Sequence, residues 1–347
     1  MFSSLRIFGF SLGLIGLVLS FIFYRGPKWR RMNFVFSACF SVSLLLVSSN
    51  PNILNAIAEM LQLAMHQRGR ILALLIASNF VIWIFFFYTK SLFDDMRHQI
   101  DLLLRRLGYE EAKNVLDKEL FNKEIVIIIP AFNEEANLQE LLSKIPRTIQ
   151  RRSVGILVID DGSTDNTAGV SCESGAVVVK NKINRGQGAA SRLGYDVLVN
   201  YNIPIGVTMD ADLQHSPLEI EKLVAPIING EKDLVIGSRM MGAYRGSTLR
   251  KIGIRFFTRI INFLANVRLT DCSSGLKAFN VNALKCLQLK EDQFQSAEVI
   301  LESAKKGLRI GEVSIIIHTR KYGITKKGTD WNYGFNFGKT IIKSWWK

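Results

Sequence analysis

Glu59 is the only carboxylate in the first 90 residues, which otherwise hold eight Lys and Arg and three long uncharged runs. No ordinary soluble domain has that composition. The runs at 7–24, 32–49 and 71–89 each approach the ~20 apolar residues that cross a hydrocarbon layer. The expectation is therefore a membrane module over residues 1–90, with transmembrane helices at about 5–24, 32–49 and 71–89. The segment SFIFYRG at 20–26 lacks the small residues of a cleavage site and two more runs follow, so an anchor is preferred to a cleaved leader. Arg25, Lys28, Arg30 and Arg31 in the first loop, and Lys90, Arg97, Arg105 and Arg106 after the third run, assign both stretches to the cytoplasm. This places the N-terminus outside and residue 123 onward inside. Residues 50–70 then face outward, with Arg68 and Arg70 dissenting, and 53–65 is apolar enough to lie in the interface.

Hydrophobic content of 48% excludes a disordered chain. Cys39, Cys172, Cys272 and Cys286 form no CxxC pair, so neither a disulfide scaffold nor a zinc motif is indicated. Between 92 and 107, Phe93, Met96, Ile100, Leu103, Leu104 and Leu107 recur at helical spacing. The linker 91–122 thus reads as an amphipathic helix facing the bilayer, the next domain or a second copy of the chain, which would make a homo-oligomer.

From residue 123 apolar strands alternate with helical segments: EIVIIIP at 124–130, VGILVID at 154–160, then shorter strands at 176–179, 205–210 and 233–237. The pattern predicts an α/β domain with a mostly parallel sheet and helices on both faces. Ligands of such sheets bind beyond the carboxyl ends of the strands. Acidic clusters sit at three such ends: PAFNEE at 130–135, DDGSTD at 160–165 and DADLQH at 210–215. For Thr164 and Asp165 helix capping is the better explanation. Asp210 and Asp212, two apart at a strand end, can share an ion with Gln214; oxygen donors of this kind suit Mg²⁺ or Mn²⁺ bridging a substrate diphosphate. His215 reads more readily as a capping or outward residue than as a fourth ligand. NRGQG at 184–188 offers glycines and Arg185 to an anion, though a two-glycine turn alone is weak. P-loop and dinucleotide-binding fingerprints are absent.

Taken in order, PAFNEE, VIDDGSTDNT, NRGQG, MDADLQHSP, GSRM and TDCSSGLKAF resemble a family 2 glycosyltransferase of GT-A fold, over residues 123–327. The polyisoprenyl-phosphate glycosyltransferases are the most similar branch. The resemblance implies an inverting, metal-dependent transfer from a nucleotide-sugar donor to a polyisoprenyl phosphate at the cytoplasmic face. It implies donor contacts at Pro130, Ala131, Phe132, Glu134, Ile159, Asp160, Asp161, Arg185, Gly186, Asp210 and Ala211. It implies metal ligands at Asp210, Asp212 and Gln214, and phosphate or acceptor contacts at Arg239, Arg320 and Lys326. Asp212 and Asp271 are the catalytic candidates; Asp271 either activates the acceptor or binds a neighbouring Arg. The N-terminal module lies outside the resemblance.

Residues 249–267 mix Arg250, Lys251, Arg255 and Arg259 with aromatic and aliphatic residues, and the tail 328–347 does likewise. Both read as interfacial elements attracted to anionic headgroups rather than to nucleic acid, given three apolar runs nearby. Two other readings stay open: transfer to a hydroxyl acceptor, and a non-catalytic scaffold or flippase partner.

Overall fold

The computed structural model describes residues 4–25, 31–50, 69–120, 122–242, 248–319 and 330–346. The chain divides into two compact units, Met1–Ile100 with the last two residues, and Asp101–Trp345.

In the first unit α1 (Ser4–Arg25) packs against α2 (Arg31–Ser49). Their packing is inverted relative to a soluble protein. Gly13, Gly16 and Ser20 on α1, with Ser41, Leu44 and Ser48 on α2, are buried, while Phe8, Leu14, Ile15, Val18, Ile22 and Leu46 are exposed. A Cβ on Gly13 would lie 2.9 Å from Leu45 Cγ, so glycine is what lets the helices approach. The buried hydroxyls turn back on their own helices, as Ser20 Oγ does to Gly16 O at 2.6 Å and Ser41 Oγ to Ser37 O at 2.8 Å. Arg6 donates to Ser48 O and Ser49 O at 3.2 and 3.0 Å and satisfies carbonyls at the end of α2. Among the described residues no helix is long and apolar enough to cross a membrane. The three spans expected from the sequence therefore find no support there, and residues 51–68 of the outward-facing segment expected at 50–70 lie outside the described residues.

The third apolar run and the amphipathic linker are not separate elements but one 51-residue helix, α3 (Gly69–Glu119). Its two faces differ from the expectation. Phe93, Met96, Ile100, Leu103 and Leu107 remain exposed, whereas Asp101, Ala112 and Leu116 are buried in the second unit. Asp101, Ala112 and Leu116, not the apolar stripe, thus make this helix part of the domain.

The second unit is built on one mixed sheet. Its strands are β1 (Ile125–Ala131), β2 (Thr148–Ile149), β3 (Arg152–Asp160), β4 (Val177–Lys180), β5 (Ile205–Thr208), β6 (Leu234–Ser238), β7 (Lys277–Asn280) and β8 (Ile310–Ser314). The order is β3-β1-β5-β7-β6-β8, with β4 and the short β2 both paired to β3. β1 runs parallel to β3 and β5, and β6 parallel to β8, while β7 is antiparallel to both its neighbours. β1 is buried on both faces, as its unbroken apolar run requires. Ile125, Ile127 and Ile129 join one cluster with Leu138, Leu141 and Leu142 of α4 (Glu135–Ser143) and Leu223 and Val224 of α7 (Ile220–Ile228). Val126 and Ile128 join the other, with Leu116 of α3 and Leu193 and Val197 of α6 (Gln187–Asn200). α5 (Thr167–Glu173), α8 (Thr248–Ala265), α9 (Val281–Leu284), α10 (Gln295–Lys305) and α11 (Asp330–Trp346) complete the layers. Phe257 of α8 stacks edge-on against Phe337 of α11 with ring centroids 5.1 Å apart.

The topology gathers the motifs. PAFNEE, DDGSTD, DADLQH and GSRM follow the carboxyl ends of β1, β3, β5 and β6, which all point the same way. TDCSSG precedes β7, and because β7 is reversed it arrives at the same rim.

Candidate functional site

The β1 and β3 loops brace each other. Asn133, in the left-handed region at φ 50°, donates its N–H to Ser163 Oγ at 2.9 Å, and its Oδ1 accepts from Thr164 N–H at 2.8 Å. Glu134 N–H donates to Thr167 Oγ1 at 2.9 Å, and Asp165 Oδ1 accepts from Thr167 N–H at 3.1 Å at the start of α5. Asp165 therefore serves the helix start, in line with the capping reading. Phe132 and Glu134 are half-buried at this rim, and Pro130 pairs with Ile159 in the sheet. Ala131, Ile159 and Ala211 have their side chains inside the core clusters. A donor contact at these positions would therefore come from backbone groups rather than from the side chains.

Asp160 is fully buried; its Oδ1 accepts from Ser163 N–H at 2.8 Å, and Lys180 Nζ stands 3.8 Å from Oδ2. Asp161 is the organiser of a second loop. Its Oδ1 accepts from Asn181 Nδ2 at 2.8 Å, and its Oδ2 from the N–H groups of Arg185 and Gly186 at 3.1 and 2.7 Å. Burial pushes the Asp161 carboxyl up, and these donors offset only part of that. The backbone donors of NRGQG are thus engaged by a carboxylate of the protein itself, where the sequence reading had a substrate anion. Gly186 adopts φ 97°, and a Cβ there would stand 2.9 Å from Asp292 O, which explains the glycine. The Arg185 guanidinium is held by Asp101 and Asp292 and does not stand alone as a phosphate contact.

β5 ends at Thr208, so DADLQH is a loop and strand alternation does not place its carboxylates. Gln187 Nε2 donates to Asp210 Oδ1 at 2.5 Å, His215 Nε2 stands 3.8 Å from Asp210 Oδ2, and a Cβ on Gly275 would collide with that carboxylate. Asp212 is buried, its Oδ1 accepting from Gln214 N–H at 3.1 Å, and Gln214 Nε2 reaches His318 O at 3.4 Å. His215 is buried with Nδ1 lacking a hydrogen-bond partner. The sequence reading missed Gln187, Asn181 and Gly275, which hold or make room for these carboxylates. Only Gln187 carried a signal, as the polar residue between the two glycines of NRGQG.

Asp271 and Arg239 form a buried pair. Arg239 Nε and Nη2 donate to Asp271 Oδ2 and Oδ1 at 2.6 and 3.0 Å, Nη2 also donates to Ser273 Oγ at 2.5 Å, and Asp271 is fully buried. Burial raises the Asp271 carboxyl, but Arg239 and the Ser273 amide outweigh it and hold the group below the usual carboxylate range. Of the two sequence alternatives for Asp271, the Arg partner is the one present. Nε and Nη2 of Arg239 are thereby committed to Asp271. Glu312, half-buried on β8, accepts from Thr270 N–H at 2.7 Å and Asp271 N–H at 2.9 Å and fixes the loop. Arg320 and Lys326 lie outside the described residues.

The donor set suits a hard divalent cation. Among the described residues no three His, Cys, Asp or Glu side chains converge into a metal cage. An Mg²⁺ or Mn²⁺ bound through one or two carboxylates and substrate phosphates needs none. Asp210, given room by Gly275, with Asp212 and Gln214 in the same loop supplies that kind of partial oxygen shell.

Comparisons with known proteins agree with this architecture. Residues 126–288 match the model of "Glycosyl transferase family 2". The UDP-N-acetylglucosamine–dolichyl-phosphate N-acetylglucosaminyltransferase of Methanococcus voltae is 32% identical over 238 residues, covering 62% of this chain and 93% of that protein. The polyprenol monophosphomannose synthase of Mycolicibacterium smegmatis is 29% identical, covering 58% and 80%. Among solved structures, glucosyl-3-phosphoglycerate synthase from Mycobacterium tuberculosis with Mn²⁺, UDP and phosphoglyceric acid superposes with a TM-score of 0.52 at 21% identity, covering 66% of this chain and 81% of that one, a likeness of fold. With its sheet, its acidic rim and these relatives, the chain belongs to glycosyl transferase family 2 and is a glycosyltransferase.

Proposed function

We propose that this enzyme transfers a sugar, with inversion, from a nucleotide-sugar donor to a polyisoprenyl phosphate at the cytoplasmic membrane face. The observation that carries the reading is the single strand-end rim that bears Asp161, Asp210 and Asp212, with NRGQG bonded to the first two, in a chain whose relatives carry the names of dolichyl- and polyprenyl-phosphate sugar transferases. Asp161 and the β1 loop hold the nucleoside, and Asp210, Asp212 and Gln214 hold the diphosphate with Mg²⁺ or Mn²⁺. When bound, the ion stabilises charge on the leaving diphosphate as a Lewis acid.

The state of Asp271 favours an acceptor that needs no base from it. A hydroxyl nucleophile needs a general base of raised pKa within reach. Asp271 is buried, paired with Arg239 and shifted the opposite way. A phosphomonoester, with a second pKa of ~6, is already an anion at neutral pH and needs no base. Positioning by cations then matters more than proton transfer, and Arg320 and Lys326 remain the sequence candidates for that. The check is to supply labelled nucleotide sugars with either polyprenyl phosphate or free polyprenol. Label should enter a mild-acid-labile lipid only with the phosphate, and equal use of the free alcohol would overturn the reading.

Membrane attachment is part of the proposal. Inverted packing of α1 on α2 leaves large apolar side chains outside and small or hydroxyl side chains inside, the arrangement favoured where the solvent is lipid. Phe93, Met96 and Ile100 of α3 are exposed as well. On α8, Leu249, Ile252, Phe256 and Phe263 are exposed beside Arg255 and Arg259, and Phe335, Ile342 and Trp345 are exposed on α11. Apolar stripes bordered by cations suit an anionic bilayer surface. An outside N-terminus and a cytoplasmic catalytic domain complete the topology. In intact cells, an impermeant thiol reagent should label a cysteine placed at Asn55 and spare one at Asn166, in a chain cleared of its own exposed thiols. The reverse labelling would separate the catalytic rim from cytoplasmic nucleotide sugars.

A further inference from the structure

A buried ion cluster lies directly behind the NRGQG loop. Asp101 of α3, 6% exposed, pairs with Arg185, with Arg192 of α6 at 3.1 Å and with Arg105 at 3.1 Å. Asp292 pairs with Arg192 at 2.5 Å and Arg185 at 3.4 Å, and Arg105 reaches Asp196 at 2.5 Å. Three guanidinium groups thus face three carboxylates. Burial raises the Asp101 carboxyl, but Arg192, Arg105 and Arg185 overcome it and keep the group ionised. Buried pairing of this quality fixes geometry even where its net contribution to stability is small.

The consequence lies in where the same loop touches the rim. Arg185 N–H and Gly186 N–H bind Asp161, and the Gln187 side chain binds Asp210. Arg185 therefore has its backbone on one site carboxylate and its side chain on Asp101. We infer that Asp101 is a positioning residue for the donor site: from α3, outside residues 126–288 that match the family model, it sets the NRGQG loop and through it Asp161 and Asp210. α3 is also the helix that leads out of the N-terminal unit, so the element that runs toward the proposed membrane anchor carries the residue that fixes the donor loop. The inference rests on the donor reading of the rim, and its test separates the two.

The test uses the full-length protein in detergent, as wild type, Asp101→Asn and Asp101→Glu. UDP and GDP, each with Mn²⁺, are titrated calorimetrically, and amide hydrogen exchange is followed at residues 184–188 and in β1 and β3. Asn preserves size but removes the charge, so exchange at Arg185 and Gly186 should quicken while β1 and β3 keep their protection. Affinity for the diphosphate that wild type binds should fall about ten- to a hundredfold, the size of a lost charge-assisted contact. In turnover the donor KM should rise more than kcat falls, with the acceptor KM unchanged, and Glu should recover part of the loss. Unchanged loop exchange, or unchanged diphosphate affinity with a loosened loop, would overturn the role. So would exchange quickened equally throughout the sheet, which marks a purely structural residue. A wild type that binds neither diphosphate counts against the donor reading, and the exchange comparison then decides alone whether Asp101 holds the loop.

Discussion

Asp212→Asn should abolish turnover in a protein that still folds. Asp212 Oδ1 accepts the Gln214 N–H at 3.1 Å, and an asparagine Oδ1 accepts the same hydrogen bond, so the loop keeps its local contact. On the proposed reading, what is lost is a negative oxygen donor for the ion that would bridge the diphosphate. Stabilisation of transition-state charge by a metal amounts to several kcal/mol, and a loss of ~4 kcal/mol corresponds to about a thousandfold in rate. Asp210→Asn should behave alike, since an asparagine Oδ1 likewise keeps the hydrogen bond that Gln187 donates. Steady-state assays with and without EDTA check the assignment: chelation should silence the wild type, and added Mg²⁺ or Mn²⁺ should restore it. Full activity in chelator, or in Asp212→Asn, would remove the metal role.

The second large effect is on stability. Asp271→Asn leaves the Arg239 guanidinium buried opposite a neutral amide, and breaking one side of a buried pair costs about 3–5 kcal/mol. Chemical denaturation should show the midpoint falling with little change in slope. The acid limb offers a separate signature. Because the Asp271 pKa is lower in the folded chain than in the unfolded one, ionisation stabilises the fold above the ordinary aspartate value of ~3.9. That contribution disappears as pH falls through the depressed folded value. Wild type should therefore lose stability steeply with acid, and Asp271→Asn should start lower and fall less. Activity per folded molecule on a lipid phosphate should survive in part. A variant of wild-type stability with no activity would instead restore Asp271 as the general base.

The strand and helix pattern from residue 123 was legible in the sequence because β1 and β3 are near-continuous apolar runs and the amphipathic helices carry a period-3.6 signal, both local in the chain. EIVIIIP reads as a doubly buried strand, and β1 is one. The acidic motifs were legible for the same reason, each being a polar break after an apolar run. β7 was not, since KAFN is four residues long and its direction is set by the neighbours it pairs with. That reversal is what carries Asp271 to the rim. Ile159, Ala131 and Ala211 had motif positions of functional residues, yet their side chains pack into the core, the first two from β3 and β1 and the third from the loop after β5.

What the sequence by itself determined is the chemistry available: oxygen ligands in DADLQH, carboxylates in DDGSTD, cations in NRGQG and GSRM, and apolar runs near the N-terminus. Only the tertiary structure decided which of these charges meet one another before they meet a ligand. Arg239 goes to Asp271, Arg185 to Asp101 and Asp292, and the NRGQG amides to Asp161. The physical reason is that an ion taken out of water must find its counter-charge at hydrogen-bond distance. Such a partner is chosen by spatial proximity, and here it lies 84 residues away from Arg185 and 32 from Arg239 along the chain.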